Sequence, residues 1–397
     1  SCSLVGSEMC IRDRSLYIAG EFGGMISVMV QLYHLTRKET YKKAACCFCN
    51  EKLFYPMQEN IDTLKDMHAN QHIPQIIGSL ELYKAGSSSR YLHIAKNFWN
   101  MVTSSHAYSI GGVGETEMFH EPDKLFKYIS DKTAESCASY NMLRLTSGLF
   151  ALYPDSSFMD YYELVLYNHI MASASHTHDG GTIYFMPLRP AGQKEYTTDE
   201  NTCCHGTGLE SRFRYIHDIY SCNENELYVN LYIASVLDTD TMKLELNWSM
   251  DQPEDSLITI KTEGERTICL RVPVWTREGF TLKVCGEEQN IEVSPDGYIR
   301  ILRTWSEGDT IEVHMSYDFR MIPVTDNRDI VSIAYGPFLL AALSERVEYL
   351  QCPEDAESLK ASMKAQGSTL HFNWNGITYV PVSEVDEERY HVYFRRR

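Results

Sequence analysis

A chain of 397 residues, 44% of them apolar, has material for two or three domains with real cores. Its 54 acidic and 36 basic residues give a formal charge of −18, which excludes the clustered cations that nucleic acid or an anionic membrane requires. No apolar run approaches the roughly 18 residues that cross a bilayer, whereas a neutral substrate is compatible with an acidic chain, and its 26 tyrosines suit a sugar face or simply the edge of a large core.

The first 14 residues, SCSLVGSEMCIRDR, fit nothing downstream. They resemble the translated scar seen at the ends of metagenomic reading frames, and we set them aside as one would a tag. From about 15 to 222 the apolar period is helical. Met25, Val28, Leu32 and Leu35 form one stripe. Tyr91, Ile94, Phe98 and Met101 form a second, and Ala138, Met142, Leu145, Leu149 and Leu152 the clearest. Pro154-Asp155-Ser156 ends that helix and caps the next, which carries Tyr162, Val165, His169 and Ile170. A last helix is expected over 208–220, with Leu209, Phe213, Ile216 and Tyr220 inward.

From about 223 to 345 the period changes to two, in short runs such as KLELNW, TICLRVPVW and GYIRILRTW separated by turn signals. This predicts an antiparallel β-sandwich. Residues 346–368 read as irregular, and 346–397 as a C-terminal β segment, part of a second sandwich.

Three loops between the helices carry chemistry: Gly111-Gly112-Val113-Gly114, His178-Asp179-Gly180-Gly181, and Cys203-Cys204-His205-Gly206-Thr207-Gly208. Twelve cysteines in a long chain, two pairs of them vicinal, point to reduced thiols rather than a disulfide framework. Reduced thiols favour the cytoplasm, with periplasm and secretion left open. Cys269 and Cys285 lie in strand-like runs and are expected to be buried. Three thiolates and a carboxylate, from Glu135, Cys137, Cys203 and Cys204, could complete a zinc tetrahedron, although each cysteine alone is more often a small buried hydrophobe than a ligand. Glu115 and Glu117 follow the glycine loop, where a carboxylate suits acid/base work or is simply solvated. His68 and His72, four apart, would share one helical face; with His176, His178 and His205 they could meet a sugar or be structural.

The segments GGVGETEMF, ESCASYNMLRLTSGLF, YYELVLYNHIMAS, GGTIYFMPLRP and CCHGTGLE together resemble glycoside hydrolase family 127, the zinc-thiolate β-L-arabinofuranosidases. GEFGGM, HANQHIPQIIG, LRVPVW and AYGPFLLAAL extend the resemblance over everything after residue 14. It implies a partial (α/α)6 barrel followed by β-sandwich domains. It implies a retaining enzyme that releases β-L-arabinofuranose, or a related furanose, from plant-type glycans. Glu135, Cys137, Cys203 and Cys204 would hold zinc, Cys203 would be the nucleophile, and Glu117 the acid/base. His68, His72, Tyr184 and His205 would touch the sugar. The retaining geometry puts the Glu117 carboxylate roughly 5–6 Å from the Cys203 sulfur, and the zinc site brings the sulfurs within about 4 Å of one another. Two departures stand out. Thr116 replaces the family's usual Gly, with Glu115 competing for the acid/base role. Family members also carry further barrel helices before GEFGGM, so about half of the toroid is expected here. The competing readings are a catalytically silent, zinc-stabilised carbohydrate-binding protein and a thiol redox sensor.

Overall fold

A computed structural model describes residues 22–177, 179–198 and 201–397 of the protein. The 14-residue leader, Cys2, Cys10 and His178 fall outside them. The helical part contains α1 (Met25–Thr36), α2 (Glu39–Cys47), α3 (Glu51–Gln58), α4 (Ala69–Lys84), α5 (Arg90–Met101), α6 (Ser136–Phe150), α7 (Ser156–Val165) and α8 (Cys203–His217). Helices α1, α4, α6 and α8 pack in sequence as one row, and α2, α5 and α7 each lean on a member of that row from outside. This is the inner and outer alternation of an (α/α)6 toroid, seen among the described residues as an arc of four inner helices.

Two stripes behave as the sequence predicts. Ala138, Met142, Leu145 and Leu149 of α6 are buried, as are Ile94 and Phe98 of α5. The Asp155 carboxylate accepts from the Ser157 amide and caps α7. Two faces are corrected. In α1 the core side is Ile26 and Val30, while Val28 and Leu35 are exposed. The cause is Gly78 of α4, where an added Cβ would lie 2.6 Å from the Ile26 Cβ, so this glycine fixes which side of α1 docks. Helix α8 starts at Cys203, not 208, and Leu209, Phe213 and Ile216 are 69%, 75% and 71% exposed. Its inward side is set instead by Cys204, Gly208 and Ser211. Gly208 sits so close to Thr182 that a Cβ would meet Oγ1 at 2.9 Å. Tyr220 begins a strand rather than ending the helix.

The β half opens with a two-layer sandwich. A six-stranded sheet runs in the order Glu287–Glu288, Phe280–Val284, Thr310–Met315, Gln252–Ile260, Lys243–Ser249, Ser235–Asp238. A four-stranded sheet runs Tyr298–Trp305, Gly264–Arg271, Glu226–Val229, Tyr220–Cys222. Their inner faces share one core, built from alternating residues such as Leu244, Leu246, Ile268 and Leu270. One pair departs from the antiparallel expectation: Glu226–Val229 lies parallel to Gly264–Arg271. Cys269 is buried as expected, but Cys285 is exposed with φ 51°. The strand ends at Val284, and Cys285-Gly286 form the centre of the tight turn into Glu287.

A nine-stranded sheet then uses every strand from Phe319 to Arg396. The boundary expected at 345 falls inside it, because Phe338–Leu343 pairs with Ile377–Pro381. The stretch expected to be irregular holds a helix, α9 (Ala356–Ser362), capped by Asp355. One face of the sheet, through Leu340 and Ala342, is covered by Leu359 of α9. The other, through Leu339, Ala341, Val382 and Tyr390, forms a single core with Tyr108, Ile110, Ala134, Ile183 and Met186 of the helical part. A buried Arg271 joins α7 to the sandwich by donating to Asp160 at 2.6 Å and to Glu163. Both contacts tie the sandwich to α7, which packs on α6.

Candidate metal centre and active site

The chemistry gathers at the N-terminal ends of the inner helices. His68 is the N-cap of α4, Glu135 that of α6, and Cys203 opens α8. Unpaired amides and the helix dipole make these ends favourable for anions and lower thiol pKa values. The Cys137 and Cys204 sulfurs are 3.1 Å apart, and those of Cys203 and Cys204 are 3.9 Å apart. The Cys204 sulfur lies 3.7 Å from Oε1 of Glu135. One donor atom from each of Glu135, Cys137, Cys203 and Cys204 lies within 4.8 Å of all the others. The expected convergence is therefore present, with Cys203 the exposed corner and the other three buried.

This quartet fits a metal on its own evidence. Oε2 of Glu135 is buried and has no hydrogen-bond partner, an arrangement that is costly unless a cation takes the lone pair. Burial pushes the Glu135 carboxyl up to about 8, and the nearby Cys203 and Glu117 add to it. The thiols are coupled. The Cys137 and Cys204 sulfurs beside it hold the Cys203 thiol well below its ordinary pKa, while Cys137 moves strongly upward. Thr207, one turn further along α8, accepts from the Cys137 sulfur at 3.1 Å. Sequence reasoning missed it, although its spacing of four from Cys203 on a helix was the available signal.

The opposing arm is the glycine loop. Gly112 is obligatory, since a Cβ there would sit 2.5 Å from His169 Nδ1 and 2.7 Å from the Ala134 Cβ. The chain then makes a tight turn closed by hydrogen bonds of 2.9 and 3.1 Å between Glu115 and Met118. Its two central residues, Thr116 and Glu117, have φ of 48° and 69°, the left-handed pair of a type I′ turn. That turn separates the two candidates. Glu115 bonds Thr116 and Ser130, both at 2.9 Å, whereas Glu117 points at the metal side. One Glu117 oxygen accepts from the Tyr184 hydroxyl, and the other lies 3.3 Å from Nε2 of His68. The Tyr184 oxygen is also 3.5 Å from the Cys203 sulfur. A single hydroxyl thus touches both groups, which limits the gap between carboxylate and sulfur to about 6 Å. Burial, followed by the bonds to Glu117 and Cys203, holds the phenol far above its ordinary pKa, so Tyr184 stays protonated.

The histidines divide. His68 Nδ1 accepts from the Gln71 amide at 3.4 Å, which leaves its Nε2 to donate to Glu117. His68 and His72 do not share a helical face, because His68 precedes the helix. His72 is buried behind it, with Nδ1 2.7 Å from the His68 carbonyl. His205 faces away from Cys203. Its ring is held by the Thr197 carbonyl at 2.7 Å, and it lines a separate cleft of about 710 Å³ with His176, Arg212 and Glu384.

Comparison with known proteins agrees with this geometry. The model of the β-L-arabinofuranosidase GH127 catalytic domain matches residues 10–216, and that of the GH127 middle domain matches residues 226–317. The non-reducing end β-L-arabinofuranosidase of Bifidobacterium longum is 22% identical over 277 residues, covering 62% of this chain and 41% of that protein. The chain therefore spans less than half the length of that relative. Among solved structures, a GH127 β-arabinofuranosidase superposes with TM-score 0.77 at 20% identity, over 94% of this chain and 68% of its own. A GH127 β-L-arabinofuranosidase from Geobacillus stearothermophilus T6 gives 0.75 at 18% identity, over 94% of this chain and 72% of its own.

Proposed function

The chain belongs to glycoside hydrolase family 127, and from that premise we propose that it releases β-L-arabinofuranose, or a closely related furanose, from plant-type glycans or glycoproteins with retention of configuration. The observation that carries the proposal is the pairing of Cys203, the exposed corner of a four-donor cluster, with Glu117 across the Tyr184 hydroxyl. A zinc ion in that cluster would supply the positive charge that keeps the sulfurs deprotonated and fixes their direction.

The rest follows from the side chains. The Cys203 sulfur attacks the anomeric carbon, forming a C–S bond as the glycosidic C–O bond breaks, and Glu117 gives its proton to the leaving oxygen. Glu117, now a carboxylate, takes a proton from water as the water oxygen displaces the sulfur. The spacing suits a retaining double displacement, whose two reacting groups stand about 5–5.5 Å apart, rather than an inverting site. His68 and the protonated Tyr184 hold the carboxylate at this spacing and can donate to sugar oxygens.

The test is turnover of an aryl β-L-arabinofuranoside by the wild type and Cys203→Ala. The expected loss is roughly a thousandfold or more, with a Cys203–sugar adduct visible by mass spectrometry of the wild type. Undiminished turnover in Cys203→Ala, or sugar binding without turnover in the wild type, contradicts the proposal.

A further inference from the structure

Tyr184 is carried by a two-stranded ribbon, Thr182–Ile183 paired with Tyr196–Thr197, which among the described residues joins no larger sheet. Ribbons of that size are marginal alone, so the aim of Tyr184 depends on what grips the segment around it. One grip is close to the tyrosine, where the Ser136 amide donates to the Tyr184 carbonyl at 3.1 Å. Beside it the Ser136 hydroxyl donates to the Ile183 carbonyl at 3.2 Å, the Met186 amide to the Thr133 carbonyl at 2.9 Å, and the His205 ring lies 2.7 Å from the Thr197 carbonyl; a further set comes from the turn between strands Ile377–Pro381 and Tyr390–His391 of the nine-stranded sheet, nearly 200 residues away in sequence. The Asp386 carboxylate, 7% exposed, accepts from Thr177 Oγ1 at 2.6 Å, from Ser175 Oγ at 3.2 Å and from the His176 amide at 3.4 Å. On the returning side, Lys194 Nζ donates to the Val385 carbonyl at 2.5 Å and the Val382 carbonyl at 3.3 Å. Gly192 and Tyr390 exchange backbone contacts, with the Tyr390 amide 3.0 Å from the Gly192 carbonyl.

We propose that Asp386 is a positioning residue for the active site: by clasping residues 175–177 it aims the Tyr184 ribbon, and through Tyr184 it sets the alignment of Glu117 with Cys203. The kinetic part of this inference rests on the hydrolase reading; the clasp itself does not. A carboxylate suits the role because it has lone pairs for several donors at once and binds each more tightly than a neutral acceptor. Burial alone would raise its pKa, yet these donors hold it below the ordinary value, so the clasp is charged at neutral pH. No covalent chemistry is assigned to Asp386, and nothing places it against the sugar.

The test compares wild type, Asp386→Ala, Asp386→Asn, Tyr184→Phe and the Asp386→Ala/Tyr184→Phe double variant, with two readouts. The first is kcat and KM on an aryl β-L-arabinofuranoside. Asp386→Ala is expected to lose about tenfold in kcat with KM nearly unchanged, and Asp386→Asn, which keeps one acceptor, less. The double variant should be no slower than Tyr184→Phe alone, because Asp386 acts through that residue. The second is amide hydrogen exchange of peptides spanning residues 179–198, expected to speed up about tenfold in Asp386→Ala while α6 is unchanged. Multiplicative kinetic losses, or unaltered exchange of the ribbon, overturn the proposal. Faster ribbon exchange with no turnover in any protein upholds the clasp and overturns the hydrolase reading instead. Should Asp386→Ala not fold, Thr177→Val removes the shortest contact from the ribbon's side and is read in the same way.

Discussion

Glu115 and Glu117 are two residues apart and chemically alike, yet the turn between them sends their carboxylates to different partners. Glu117→Gln should therefore lose at least about a hundredfold in kcat/KM, the usual cost of an acid/base group, while Glu115→Gln stays within a few fold; the reverse pattern would move the role to Glu115. The turn itself is strained. Thr116, Glu117 and, just before Glu135 of the four-donor cluster, Ala134 all have positive φ. Such strain persists where surrounding contacts over-determine the chain, as they do at functional sites. A β-branched side chain is a poor occupant of that region, so Thr116→Gly is expected to raise stability by about 1 kcal/mol in denaturant unfolding; a destabilised variant would show that the Thr116 contacts outweigh the strain. That Glu135, Cys137, Cys203 and Cys204 would gather, with Glu117 and Tyr184 beside them, was legible from the sequence through family resemblance. The choice between the two glutamates was not, because it turns on a backbone angle that no periodicity encodes.

Among the elements, the helices with their own periodicity were legible, and those whose orientation is set by a neighbour were not. The stripe of α6 is continuous and docks as read, whereas α1 is turned by one glycine on α4, and α8 by Cys204 and Gly208 in its first two turns. His205, expected in a pocket loop beside the sugar, instead lies on α8 with its ring on the Thr197 carbonyl, lining the cleft shared with His176 and Arg212. The ribbon bearing Tyr184 supplies a pH prediction. Burial lowers Lys194 to about 7, against an ordinary 10.5. Between those values the unfolded chain binds a proton that the folded one does not, so the folded state gains stability as pH rises through the window and loses it as pH falls toward 7. Denaturant unfolding at pH 7 and pH 9 should show a rise in the wild type that is smaller in Lys194→Met. Equal slopes in the two proteins would mean that the amine titrates normally.

At the level of the molecule, the switch from a period of 3.6 to a period of 2 near residue 223 revealed a helical half followed by sheets. What stayed hidden was long-range: that strands from Phe319 onward form one sheet, and that its face shares a core with the glycine loop and the ribbon. Contacts across two hundred residues leave no local trace. One consequence is that site and fold are coupled. Binding energy at a four-donor cluster with three buried members is also folding energy, so a strong chelator should lower the melting temperature by roughly 5–10 °C, and zinc should restore it; an unchanged melting curve would place the metal elsewhere or nowhere. The most direct measurement is X-ray absorption at the zinc edge of the purified protein. The quartet predicts a first shell of three sulfurs at about 2.3 Å and one oxygen at about 2.0–2.2 Å, reduced to two sulfurs in Cys203→Ala. A shell of nitrogen and oxygen alone, or a spectrum unaffected by that substitution, would contradict it.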